Sequence, residues 1–203
     1  MENGTGIYKT LTRPSVEILF KDRKSKFFGY AFPIQTEEEV KPIVEELRKK
    51  HASANHVCYA WQLGIDNPRF RANDDGEPNN SAGMPIYGQI QSFGVTNLLV
   101  AVVRIFGGTK LGVGGLIQAY RAAAEMALDS SDIEERTVVE NFQLDFSYSE
   151  MSKVMRMIKQ HPIEIESQKM EMDCCFIISV PKSRSDIIFE YFNELPSISI
   201  RKI

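Results

Sequence analysis

The chain has 203 residues, 43% of them apolar, with a formal charge of −3. That apolar content supports one large or two small packed cores and excludes a disordered chain. A pI near 5.7 excludes a global positive field that would draw nucleic acid or anionic lipid nonspecifically, so any basic contact surface must be local.

The first residues, MENGTGIYKTL, lack the basic-then-apolar order of a leader, and the longest apolar run, Leu98 to Val103, is too short to span a bilayer. The expectation is a cytoplasmic protein with no membrane partner. Its three cysteines, Cys58, Cys174 and Cys175, show no C-x2-C spacing and read as reduced, buried thiols.

Val16, Ile18 and Phe20 alternate, as do Phe28, Tyr30 and Phe32, which predicts a hairpin over residues 15–34. Its tip carries Lys21, Arg23, Lys24 and Lys26, a local basic cluster suited to phosphate contacts. Thr36 to Glu39 fits a capping box, and Val40, Ile43, Val44 and Leu47 recur at helical spacing. VCYAWQL alternates Val57, Tyr59, Trp61 and Leu63 with Cys58, Ala60 and Gln62, the period of a strand, and His56 stands just before it as a candidate proton-transfer group.

From Gly64 to Gly83 no periodicity is evident, and the segment reads as a long loop centred on NDDGEPNNSAG. Asp74, Asp75 and Glu77 crowd three carboxylates there; they suit oxygen ligation of magnesium or acid–base work, while Asp-Gly equally favours a solvated turn. Pro85 belongs in the first turn of a helix running to about Phe93. NLLVAVVRIF follows as a strand covered on both faces, with Arg104 its only charge.

Five glycines then fall within the nine positions Gly107 to Gly115, ahead of a helix whose inner face is set by Leu116, Ile117, Tyr120, Ala123, Ala124, Ala127 and Leu128. Gly107, Gly108, Gly112, Gly114 and Gly115 chiefly permit a close strand-to-helix crossover, and the amides at the helix start, with Lys110 inside the loop, are a candidate anion cradle. Val113-Gly114 stands where a phosphate loop needs Lys-Ser/Thr, and Ile117 stands where a dinucleotide fingerprint needs its third glycine. Nucleotide-hydrolase and nicotinamide signatures are therefore missing, as is any G-x-S-x-G nucleophile turn.

SSDIEERT reads as a polar linker. Beyond it Phe142, Leu144, Phe146 and Tyr148 alternate. A helix follows with Met151, Val154, Met155 and Ile158 inward, then two strands about Met172-Asp173, a helix with Ile188, Tyr191, Phe192 and Leu195, and a last strand. The order βαββαβ predicts a ferredoxin-like domain over 137–203 after a larger domain over 15–131, an α+β chain overall.

KSKFFGYA, ANHVCYAWQLG, NDDGEPNNSAGMPI and VVRIFGGTKLGVGGLIQAYRAAAEMAL together resemble the YigZ/IMPACT family in order and spacing. The resemblance implies an N-terminal α/β domain of the ribosomal-protein second-domain type with a left-handed βαβ crossover, and the small extra C-terminal domain of bacterial YigZ-like members. It also implies kinship with eukaryotic regulators of translation. Asp74, Asp75, Glu77, Arg104, Gly107, Gly108, Lys110, Gly112, Gly114 and Gly115 match the family pattern, whereas Ile105 and Gln118 stand where the family often has Tyr and Arg.

Three functional readings follow. The first is a cytosolic binding or regulatory protein whose partner is RNA, the ribosome or a translation-related protein. The second is an enzyme acting on a phosphorylated or nucleotide-like molecule, with magnesium entering only under that reading. The third is a protein-interaction scaffold without a ligand. No cofactor is assigned.

Overall fold

The computed structural model describes residues 6–203, so the opening five residues of the segment read as leaderless lie outside it. The chain divides into two compact units, Tyr8–Glu135 and one containing Arg136–Ile203. Among the described residues no helix is long and apolar enough to cross a membrane.

In the larger unit, β2 (Ile18–Asp22) and β3 (Ser25–Pro33) form the expected hairpin, closed by the two residues Arg23 and Lys24. Both turn residues have positive φ, 42° and 68°, the conformation that matches the right-handed twist of the flanking strands although neither is glycine or asparagine. A short 3-10 turn, Glu37–Glu39, leads into α1 (Val40–Lys50), and the Glu39 carboxylate accepts the Thr36 amide at 2.8 Å as a capping box requires.

The strands β4 (His56–Leu63), β5 (Arg69–Asn73) and β6 (Leu98–Ile105) complete a sheet in the order β2-β3-β6-β4-β5. Every neighbouring pair is antiparallel, so β3 and β4, joined through α1, run parallel with β6, buried except at Ile105, between them. The helices α2 (Gly83–Phe93) and α3 (Gly112–Asp129) cover one face, where Phe27, Cys58, Val100 and Val102 pack against Ile86, Ile90, Leu116 and Tyr120. α1 covers the other face through Leu47, with Tyr30, Val57 and Val103 beneath it.

Two sequence expectations change here. RFRAN, within the stretch read as a loop, is β5: it lies at the sheet edge, and its exposed arginines and Phe70 hid the strand period. Likewise the polar linker contains β7 (Ile133–Thr137), which pairs with β1 (Ile7–Leu11) in a two-stranded ribbon. The Thr12 amide donates to the Asp132 carbonyl at 3.0 Å there, a contact across 120 positions that local patterning does not reveal.

The face under α1 carries a titrating cluster. The Tyr30 hydroxyl donates to the Glu17 carboxylate and meets His51 Nε2, while Lys50 Nζ lies 2.9 Å from Glu17. The Tyr30 hydrogen bond, then Lys50, holds Glu17 below its ordinary 4.5, and burial holds His51 below 6.5. Both folded-state values are depressed, so the stabilisation each gives is complete above the ordinary value and drains away as pH falls from there toward the folded value. The urea midpoint is expected to fall in two steps, one starting near 6.5 and one near 4.5. His51→Gln should erase the upper step; a midpoint flat between pH 7 and 5 contradicts this.

The smaller unit runs β8 (Val139–Ser147), α4 (Met151–Gln160), β9 (Glu164–Lys169), β10 (Asp173–Pro181), α5 (Ser185–Asn193) and β11 (Ile198–Lys202). Its antiparallel sheet has the order β11-β8-β10-β9, the ferredoxin-like arrangement. Phe142, Leu144, Phe176 and Ile178 pack against Val154, Ile158, Ile188 and Phe192.

Candidate functional site

Strand register sets the site. Arg104 near the end of β6 is opposite Phe27 on one side and His56 on the other, so these three side chains share the face covered by α2 and α3. That places a guanidinium inside the core, its side chain 7% exposed, and a charge so buried needs a partner. Glu77, with a side chain 4% exposed, supplies it: Arg104 Nη1 donates to Glu77 Oε1 at 2.6 Å.

Tyr120 on α3 donates to the same carboxylate oxygen at 2.7 Å, and the Cys58 thiol donates to the Tyr120 hydroxyl at 3.3 Å. Burial pushes both the Tyr120 hydroxyl and the Cys58 thiol well above their ordinary values, so both are neutral donors. Cys58 is thus a packing residue and no nucleophile. His56 Nδ1 is 2.8 Å from the Asp75 carbonyl, and its Nε2 faces Glu77 at 3.9 Å. The Arg104 guanidinium also lies 5.5 Å from the Phe27 and the Phe106 ring centroids, a position that favours a cation over the ring faces.

A cavity of about 450 Å3 opens over this network. His56, Glu77, Arg104, Lys110 and Gly112 line it, together with Asn55, Pro78, Phe106, Leu111, Val113 and Leu116. The acidic loop and the glycine-rich loop therefore meet through Glu77 and Lys110. A groove of about 560 Å3 lined by Met84, Ile117 and Arg121 holds no comparable buried charge.

The other carboxylates of the acidic loop are used within it. Asp74 accepts the amides of Asn80, Ala82 and Gly83 at 2.8–3.0 Å, tying the loop to the start of α2. Asp75 accepts the Val57 amide and the Arg48 guanidinium, each at 2.6 Å, anchoring the loop to β4 and α1. Neither lines the cavity. Among the described residues no cluster of three His, Cys, Asp or Glu side chains could hold a metal ion.

The glycines divide by role. Gly107 is pressed against the hairpin turn: a Cβ there would lie 2.0 Å from the Lys24 carbonyl carbon, and its amide donates to Ser25 Oγ at 3.2 Å. Gly108 and Gly112 take positive φ, 89° and 75°, and Gly115 packs on Leu111. Gly114 has an ordinary φ and open space about it. Lys21, Arg23, Lys24 and Lys26 are exposed at the tip of the hairpin that Gly107 abuts.

Sequence reading placed Tyr120 on an apolar helix face and left its hydroxyl without a role. A fully buried tyrosine on an alanine-rich face is itself a signal, because that hydroxyl must find a partner.

The Impact N-terminal domain family matches residues 23–128, which run from the hairpin turn and β3 through the acidic loop, β6 and the glycine-rich loop to most of α3. The IMPACT family member YigZ of Escherichia coli strain K12 is 31% identical over 147 residues, 71% of this chain and 72% of that protein. The IMPACT family member YvyE of Bacillus subtilis strain 168 is 27% identical over 172 residues, 85% of this chain and 79% of that protein. A crystal structure described as that of a hypothetical protein superposes with a TM-score of 0.70 at 25% identity, covering 97% of each chain.

Proposed function

The chain belongs to the IMPACT family, and from that premise we propose that it is a cytosolic binding and regulatory protein whose partner is RNA of the translation machinery. The observation that supports this reading is the junction at Gly107. The glycine has no side chain, so the loop packs directly on the backbone of the hairpin turn and holds Lys21, Arg23, Lys24 and Lys26 out on a braced support. The whole chain, these four cations included, carries a formal charge of −3 and exerts no general pull on polyanions, so four clustered cations on a fixed tip select a local stretch of phosphates.

The proposal has a quantitative test. Binding to single-stranded ribosomal RNA segments should weaken with salt, with a log–log slope of about −0.7 per phosphate contacted. Replacing the four tip cations by alanine should make that slope shallower by about 2–3 while the melting temperature stays unchanged. A slope unchanged by the replacement, or no association with ribosomes at low salt, rejects the reading.

A further inference from the structure

We propose that the cavity over Glu77 and Arg104 is a separate binding site for the phosphate monoester of a small molecule. The inference does not depend on the RNA reading, because it uses the cavity and not the hairpin tip.

Four observations converge on it. α3 is 18 residues long yet starts without a capping side chain and with no acidic residue in its first turn, so the positive end of a long helix faces outward uncompensated. Gly112, Val113 and Gly114 leave those first amides exposed, and Gly112 and Val113 line the cavity. Arg104, a cavity-lining side chain 93% buried by its 7% exposure, has its Nε enclosed with no hydrogen-bond partner. Lys110 adds an exposed cation at the rim.

Those donors specify the ligand chemistry. Glu77 already neutralises one unit of charge on Arg104, which leaves Lys110 and the helix end as the net field, and that field is positive. Backbone amides and an ammonium approach from different elements, which suits a tetrahedral group with three free oxygens better than a flat carboxylate with two. Beside them Phe106 and Val113 are 41% and 53% exposed, an apolar rim for the organic part of the ligand. About 450 Å3 accommodates a molecule of mononucleotide size.

Gly114 gives a test that does not endanger folding. Its Cβ position is open and its φ is ordinary, so Gly114→Asp fits without strain and sets a carboxylate on the free amides that the phosphate would use. The probes are inorganic phosphate, AMP and adenosine, titrated calorimetrically into the full chain. AMP should bind, phosphate should compete with it, and adenosine should bind at least about tenfold more weakly. Gly114→Asp should abolish AMP binding while raising the melting temperature, and Lys110→Ala should weaken AMP about tenfold with the melting temperature unchanged.

The proposal is overturned if neither phosphate nor AMP binds at about 10 mM, above the millimolar Kd expected of a single phosphate site. It is equally overturned if adenosine binds as well as AMP, or if Gly114→Asp binds AMP like the parent. The variant lacking the four tip cations should keep AMP binding intact, so loss of RNA binding in that variant and loss of AMP binding in Gly114→Asp are separable results.

Discussion

Glu77→Ala is expected to destabilise the protein by about 3–5 kcal/mol, the usual cost of stranding one member of a buried ion pair. Arg104 stays 93% buried by its 7% exposure with its charge uncompensated, and the Tyr120 hydroxyl loses its acceptor at the same stroke. Chemical denaturation measures the loss directly. The double substitution Glu77→Leu with Arg104→Met removes both charges and should recover the part due to the stranded charge, because an apolar pair of similar volume needs no compensation, while the Tyr120 hydroxyl still lacks its acceptor. The single losses are therefore not additive, and a double-mutant cycle should return a coupling of several kcal/mol. Losses that simply add would mean that the two groups do not depend on each other, against a 2.6 Å contact between side chains 4% and 7% exposed.

Gly107→Ala carries the second large effect. The added methyl would lie 2.0 Å, 2.2 Å and 2.4 Å from the Lys24 carbonyl carbon, its oxygen and the Ser25 nitrogen, all of them backbone. A flexible side chain could swing aside, but a two-residue turn with both φ positive cannot move without disturbing the hairpin register. The loop must separate from the hairpin instead, and the Gly107 amide loses Ser25 Oγ. The expected cost is about 3 kcal/mol, the upper end of ordinary overpacking. RNA affinity should fall with it, since the tip cations lose their brace. Gly114→Ala, in the first turn of α3, should instead stabilise by about 0.5–1 kcal/mol, because nothing crowds it and alanine is the better helix former. Thermal denaturation of the two variants side by side decides this: equal effects would mean that the glycine-rich loop is uniformly permissive.

Much of the larger unit was legible because its patterns are local. The hairpin announced itself by alternation on both sides of KDRKSK, α1 by its capping box, and β6 by an apolar run that only a central strand can bury. The ferredoxin-like unit was readable from element order, since βαββαβ with alternating strands admits few pairings. β5 and β7 were missed for one shared reason. RFRAN and IEERT are exposed strands whose partners supply the pairing, and a strand with water on one side or both needs no apolar period of its own.

The candidate site was legible as a set of residues but not as roles. Asp74, Asp75 and Glu77 are alike in sequence, three acids within four positions of one loop. Folded, Asp74 caps α2 amides, Asp75 ties β4 to α1, and Glu77 alone turns into the core to meet Arg104. Tyr120 likewise acquires its partner only because α3 packs over β6.

By itself, then, the sequence determined which segments are strands and helices wherever an apolar face had to be buried, and which residue types crowd the two loops. The tertiary structure alone decided which of those residues are buried and paired. Register sets Arg104 between Phe27 and His56, and the close approach at Gly107 sets the loop against the hairpin. Both are distances between residues far apart in the chain, and the energy of a buried charge depends on them and not on composition.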